Sequence, residues 1–551
     1  MSTTIYDFIG VGFGPSNLAL SGALIDKWTT PSNDSEKSIR TVLFLERQPS
    51  FQWHPGMLLP GAQMQISFLK DLAMLRSPQS ALTFVNYLHS HGRLTAFINR
   101  GSFTPSRREF ADYLGWAARY VEDHGVNVNY GQEVVAIDES SDGLINVTSR
   151  SITDGRLNIH ITREHNFFTV HCGLCPFSLL ELGNLVLSPG GSARIPNVVL
   201  PLMNESSIVD RSTLLHSSEY KNRVAKLLKS ITSSTAPRPL RIAVIGGGQS
   251  AAEVTMNLRN LLSNIPSGNA GHQVDMLIRK GSLKPSDDSH FSNEIFAPEG
   301  TGNWFSTSEQ GREYLMAEYK DTNYSVVNPC TVAALYEIIY DQKVEATITA
   351  RNSGVQKTPG PKINIRSHIH IASLKYDVGS QTFTFTLRNA LTREIFEHET
   401  YDAIVCATGY QRHSWIELLS DRLKKRFGIG SCGSDVPIRL VPFAQRATYM
   451  VETRDDSSNV CNTPDSIATT PSISSSTENV GQQQVEPVNL YITRRYRLLP
   501  IASSEIESEE TLKARIYIQG LEEATHGLSD TLLSVVSCRA GEVVDDLLSE
   551  D

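Results

Sequence analysis

IYDFIGVGFGPSNLALSGAL, residues 5–24, carries the reading that decides the fold. An apolar run at 5–9 breaks at a glycine-rich turn, GVGFG at 10–14, and an apolar stretch of helical density follows at 17–24. The order is strand, tight turn, helix. A polar loop at 29–38 leads into a second apolar run, TVLFL at 41–45, that ends on Glu46, which completes a βαβ opening with a parallel sheet. The pattern returns in RIAVIGGGQSAAEVTMNLRNLL, residues 241–262, whose second strand at 274–278 ends on Arg279. Two such openings in one chain imply an α/β protein with two dinucleotide-binding, Rossmann-like domains.

The residues at each turn have separate tasks. Gly10 permits a tight exit from the strand, Gly12 lets the backbone approach a pyrophosphate, and the helix N-terminus supplies free N–H groups and a positive dipole; Gly14 belongs to the same candidate site. Pro15 holds the usual third glycine position. Such a turn also occurs where a strand merely enters a helix, so Glu46, placed to accept hydrogen bonds from ribose hydroxyls, is the stronger signal. The second turn, Gly246-x-Gly248-x-x-Ala251, matches the fingerprint more closely. Its strand-end Arg279 suits a 2′-phosphate, which favours NADPH over NADH, unless it is simply a solvated charge.

Composition narrows the partners. With 551 residues, 40% hydrophobic and 20% charged, the chain is long enough for two or three lobes. A net charge of -9 and the lack of a basic stripe argue against nucleic acid or an anionic membrane and for small-molecule partners. No leader or spanning stretch is read, and seven scattered cysteines suit reduced thiols in the cytoplasm. Cys172 and Cys175 have the spacing of a redox dithiol or half a zinc site, or are incidental thiols; no second pair follows, and no metal site is read. Two dinucleotides, one resident and one exchanging, describe a flavoprotein that takes hydride from NADPH.

Further along, YDAIVC at 401–406 reads as a strand and 531–548 as a last helix. The polar stretch 455–484 reads as a disordered surface loop. Residues 158–182, unusually aromatic and just ahead of a strand at 184–187, show neither strand nor helix periodicity. The division expected is 1–203 for the first part of an FAD-binding domain, 204–285 for an NADPH-binding domain, 286–395 for a smaller substrate-binding region, and 396–551 for the second part of the FAD domain.

The chain resembles the lysine and ornithine N-hydroxylases of siderophore biosynthesis, flavin monooxygenases used in iron acquisition. The resemblance rests on GVGFGPSNLAL from Gly10, FLERQPSFQWHPGMLLPGAQMQISFLKDLAMLRSP from Phe44, FTPSRREFADYL from Phe103, GGGQSAAE from Gly246, RKGSLKPSDDSHFSNEIF from Arg279, TNYSVV from Thr322, ATGY from Ala407 and THGLSDTLLSVVSCRAGE from Thr525. Within that family the ornithine N5-monooxygenases fit best, and they are often homotetramers. The resemblance implies FAD contacts from Glu46, Arg47, Gln48, Pro49, Ser50, Phe51, Gln52, Trp53, His54, Gln65, Val134 and a helix start at Thr531, Leu532 and Leu533. It implies NADPH contacts from Arg107, Gly247, Gly248, Gln249, Ser250, Arg279, Asn323, Tyr324 and Ser325. Ornithine would be held by Lys70, Asn293, Glu294, Ile295, Phe296, Asn323 and Ser534.

The chemistry of those residue types agrees: an ammonium pairs a carboxylate, amides and hydroxyls orient an amine, and none is a strong base. In the family NADPH reduces FAD, the flavin traps O2 as a C4a-hydroperoxide, and the neutral side-chain amine takes the distal oxygen to give N5-hydroxy-L-ornithine, NADP+ and water. No catalytic residue beyond that hydroperoxide is implied. Residues 158–182 match no part of the family pattern and are either a tolerated insertion or translated sequence that a mature transcript lacks. The alternatives are L-lysine N6-hydroxylation, one methylene away, and a silent flavin-binding protein disabled by that segment.

Overall fold

The computed structural model describes residues 5–29, 39, 41–140, 144–162, 183–204, 212–233, 237–268, 270–351, 360–430, 437–447, 487–501, 512 and 514–549. The polar stretch 455–484 and the pair Cys172 and Cys175 lie outside these residues.

The opening motif builds the largest sheet. Phe8–Val11 lies between Val42–Glu46 and Asn184–Leu187, parallel to both, and the sheet extends through Asn127–Tyr130 on one side and Arg515–Ile518 on the other. Beyond Arg515–Ile518 the strand Arg497–Leu499 runs antiparallel, so the sheet is mixed rather than parallel throughout. The helix Pro15–Thr29 starts on a proline, where the missing N–H costs nothing, and buries every residue from Asn17 to Ile25. It is buried all round because the final helix, Val536–Leu547, and the helix Arg107–Asp123 pack over it.

The first strand is shorter than its apolar run. Asp7 accepts a hydrogen bond from the Thr41 N–H at 2.8 Å and bends the chain, so that Ile5–Tyr6 leaves for a second sheet beside Leu157–Thr162. That pairing also corrects the reading of 158–182: Asn158 to Thr162 belong to a strand bonded to Ile145–Ser151, and residues 163–182 lie outside the described residues. Their periodicity is hidden because three of the first four side chains of this strand are exposed.

The second motif forms a parallel sheet in the order Leu214–His216, Ala403–Cys406, Arg241–Ile245, Gln273–Leu277, Lys362–Arg366. Two of its strands come from outside residues 204–285, so this unit draws on chain as far as Cys406. Buried Asp275 shows why: it accepts from Arg241 Nε at 2.8 Å, Asn364 Nδ2 at 3.0 Å and Tyr401 Oη at 2.9 Å, and these groups satisfy its charge. The run 401–406 likewise splits at Asp402, whose carboxylate accepts from the Arg241 N–H at 2.7 Å. Tyr401 ends a strand of a separate three-stranded antiparallel sheet. The last helix begins at Val536 after a 3-10 turn, Leu533–Val535, so Thr531 and Leu532 stand before the helix and not at its start.

Candidate active site

A cavity of about 1460 Å³ runs along the C-terminal ends of the first sheet, large for one small ligand and suited to a dinucleotide with a second molecule beside it. Gly12 and Gly14 form its floor at the start of the first helix. Gly12 has a φ of +80°, and a Cβ there would come 2.5 Å from the Ser188 carbonyl oxygen, so only glycine fits this turn. Gly10 has a different task from the one read in the sequence. It lies inside the strand Phe8–Val11 under the Phe44 ring, where a Cβ would sit 2.2 Å from a ring carbon, and it does not reach the cavity wall.

Glu46 lines the cavity with its carboxylate already oriented: Oε2 accepts from the Phe13 N–H at 2.7 Å and Oε1 from the Gln48 N–H at 2.8 Å. Lone pairs remain for ribose hydroxyls. Arg47, Gln48, Gln52, Trp53, His54, Gln65, Val134, Thr531, Leu532 and Leu533 join it on the wall. Pro49, Ser50 and Phe51 do not; Phe51 packs edge-on against Phe13 instead. His54 holds a left-handed backbone, φ 43° and ψ 48°, and its imidazole is held below the usual histidine pKa by burial and then by the nearby Arg107 guanidinium. It is therefore a neutral ring at pH 7.

The residues expected to hold ornithine divide. Lys70, Asn293, Phe296, Asn323 and Ser534 line the same cavity, and Glu294 and Ile295, at the end of the short helix His290–Glu294, do not. Lys70 follows a turn in which its N–H donates to the Ser67 carbonyl at 3.0 Å. The next residue, Asp71, fixes the loop by accepting from the N–H groups of Ala73 at 2.8 Å, Met74 at 2.6 Å and Phe84 at 2.6 Å. Burial pulls the Lys70 ammonium below its usual range, opposed by Glu299. The same effect pushes Asp71 up to about 6 despite its three N–H donors.

The second turn stands outside the lining of this cavity. Gly247, Gly248, Gln249, Ser250, Tyr324 and Ser325 come together there, with the Ser325 Cα 3.6 Å from where a Gly248 Cβ would sit, but of the NADPH set only Arg107 and Asn323 reach the cavity wall. Arg107 is engaged by Glu253 at 2.8 Å, and Tyr324 donates its hydroxyl hydrogen to Glu523. Arg279 is exposed just past the strand Gln273–Leu277.

Seven buried polar atoms on residues of the cavity wall have no protein partner: Ser188 Oγ, Arg412 Nη1, Trp415 Nε1, Gln519 Oε1, Thr531 Oγ1, Ser534 Oγ and Arg539 Nε. Groups left this way are costly unless a ligand or water satisfies them. A flavin dinucleotide with its many hydroxyl and carbonyl groups fits that donor and acceptor set. Sequence reasoning missed Ser188, Tyr410, Arg412, Gln519 and Arg539 at this wall: Tyr410 and Arg539 lie inside ATGY and THGLSDTLLSVVSCRAGE, but long-range packing, not a local signal, brings each of the five here.

A family model described as L-lysine 6-monooxygenase/L-ornithine 5-monooxygenase matches residues 4–412. The chain belongs to this family. It is 52% identical to an L-ornithine N(5)-monooxygenase of Omphalotus olearius, covering 100% of this chain and 99% of that protein. An L-ornithine N(5)-monooxygenase of Pseudomonas aeruginosa is 33% identical, with 99% and 94% covered. Among solved structures, the ornithine hydroxylase PvdA of Pseudomonas aeruginosa superposes with a TM-score of 0.69 at 33% identity, 99% of each chain covered. The Kutzneria ornithine N-hydroxylase KtzI, solved with reduced FAD, NADP+ and L-ornithine, gives 0.68 at 27% identity, again over 99% of each. The family's two-Rossmann flavoprotein fold is the fold seen here. Among the described residues no helix is long and apolar enough to cross a membrane.

Proposed function

We propose that this chain is an FAD- and NADPH-dependent monooxygenase that converts L-ornithine and O2 to N5-hydroxy-L-ornithine and water, the first step towards a hydroxamate siderophore. The observation that carries it is one cavity joining the first glycine turn and Glu46 to Lys70, Asn293, Asn323 and Ser534, in a chain similar along its whole length to ornithine N5-monooxygenases. Lysine N6-hydroxylation and a silent flavoprotein are not favoured, since the relatives at 33% identity and above are named for ornithine.

FAD, when bound, supplies the redox chemistry that activates O2 with hydride from NADPH. The protein's part is positioning. Gly12 and the helix N-terminus would cradle the pyrophosphate, and Glu46 would take ribose hydroxyls. Arg279, exposed and outside the cavity, would hold the 2′-phosphate of NADPH. Lys70 pairs the ornithine carboxylate, Asn293 and Asn323 orient the α-amine end, and Ser534, with its otherwise unpartnered hydroxyl, completes the set. Phe296 and Leu533 keep water from the reacting end. The side-chain amine, with an ordinary pKa of about 10.4, must shed a proton before its lone pair can react, and desolvation in the cavity lowers that cost. The reading extends, on the resemblance, to a cytoplasmic homotetramer.

Purified protein is expected to be yellow, to oxidise NADPH, and to form hydroxylated ornithine faster than hydroxylated lysine. Equal product from the two amino acids, or NADPH oxidation with no hydroxylated product, would overturn it.

A further inference from the structure

Beneath the first helix lies a charge that the reading so far leaves unused. Arg539, on the final helix Val536–Leu547, is 2% exposed, yet its side chain forms part of the cavity wall. Its Nη2 donates to Ser16 Oγ at 2.8 Å, in the first turn of the helix Pro15–Thr29. Its Nη1 donates to the Asp530 backbone oxygen and to the Asp530 carboxylate, the latter at 3.1 Å. Its Nε is buried without a protein partner. Gly520, φ +75°, passes alongside the guanidinium, and a Cβ there would be in ordinary contact with it, 3.7 Å from Nη2.

A buried guanidinium costs several kcal/mol to desolvate and is retained where its partners repay that. Asp530 is one. The second carboxyl of the cluster, Glu522, is fully buried beside Asp530 and held far above the carboxylate range by burial and by the Asp530 charge, so it stays neutral. His526 is pulled down to about 4 by burial and is neutral as well. The cluster is thus balanced without adding negative charge below the cavity, although it sits where the helix N-terminus presents its free N–H groups.

We propose that Arg539 anchors the cofactor pyrophosphate through its unpartnered Nε–H, tying the Asp530 loop to the N-terminus of the first helix through Ser16. It does so indirectly as well, since the loop it holds continues into Thr531, Leu532, Leu533 and Ser534 on the cavity wall. The proposal rests on the flavin reading of this cavity.

The test is titration of flavin-stripped protein with FAD and, separately, with riboflavin, which has the isoalloxazine ring and ribityl chain but no phosphate. Wild type, Arg539→Gln and Arg539→Lys are compared, with binding read from flavin fluorescence. Arg539→Gln is expected to weaken FAD by about tenfold or more, as loss of a charge-assisted contact does, and Arg539→Lys by less, with riboflavin within about twofold of wild type in both. A parallel fall for the two ligands would show a merely structural role and overturn the proposal, as would unchanged FAD binding. If Arg539→Gln does not fold, the FAD-to-riboflavin affinity ratio of Arg539→Lys decides: a ratio below wild type supports the proposal and an unchanged one refutes it. Wild-type protein that bound no FAD would remove the reading of the cavity itself.

Discussion

The two glycine turns share a sequence pattern and differ in what surrounds them. The first opens into a deep cavity, roofed by the Pro189 to Ser192 backbone and the Thr531 to Ser534 loop, and its Gly12 is pinned against Ser188. The second is half-buried beside the Ser325 loop, outside that cavity, with exposed Arg279 at the next strand end. Enclosure suits a ligand that stays, and exposure suits one that comes and goes each turnover. On the proposed function the same local motif would serve a resident and an exchanging dinucleotide, with the difference made by residues far away in the chain.

The sharpest way to break this comparison is Gly12→Ala. The substitution forces a non-glycine residue to φ +80° and drives a Cβ to 2.5 Å from a backbone oxygen that cannot swing away. A cost above about 3 kcal/mol is expected from strain and clash together, read as colourless or insoluble protein. A yellow, stable variant would show that the turn does not hold the flavin.

Next in size is Lys70→Ala, which separates the substrate end of the cavity from its flavin end. Loss of a charge-assisted contact of about 1.5–3 kcal/mol should raise the apparent KM for ornithine roughly ten- to hundredfold. Flavin content and NADPH-driven reduction should persist, with more oxygen leaving as peroxide. Wild-type ornithine affinity would remove Lys70 from the substrate pocket.

How much of this was legible in the sequence follows from the range of each interaction. Strand, turn and helix at residues 5–29 and 241–262 could be read because hydrophobic periodicity and glycine placement are local. The break at Asp7 could not, because it depends on Thr41 across the sheet. Lys70 lies in a long family-specific run and was found through resemblance. Arg539 lies within THGLSDTLLSVVSCRAGE but carries no local signal, since its helix buries Val536, Ala540, Val543 and Val544 beside it and only the fold shows a charge among them. Strands supplied from outside 204–285 escaped for the same reason: a parallel sheet can collect its edges from any distance along the chain.

Arg279→Ala comes third and tests the outer turn. Its guanidinium has only the 2′-phosphate to distinguish NADPH from NADH, so the NADPH KM should rise about tenfold, the NADH KM should hardly move, and flavin content should equal wild type. Equal loss with both nucleotides would detach Arg279 from the phosphate and weaken the assignment of the exchanging site.

The smallest effect belongs to Gly248→Ala, the counterpart of the first substitution. Gly248 caps the helix Gln249–Leu262 with φ -105° and ψ -173°, extended backbone that any residue adopts, and its Cβ would find only ordinary contact at 3.6 Å from Ser325. An alanine at a helix cap costs within about 1 kcal/mol relative to glycine, so folding and flavin content should survive with a Tm only a few degrees lower. The added methyl does stand where a pyrophosphate would approach the helix N-terminus, and the NADPH KM should rise a few-fold while ornithine affinity holds. Glycine is thus required at position 12 by the protein's own backbone and at position 248 by the ligand alone. Loss of flavin in Gly248→Ala, measured by the visible spectrum of the purified variant, would erase that distinction.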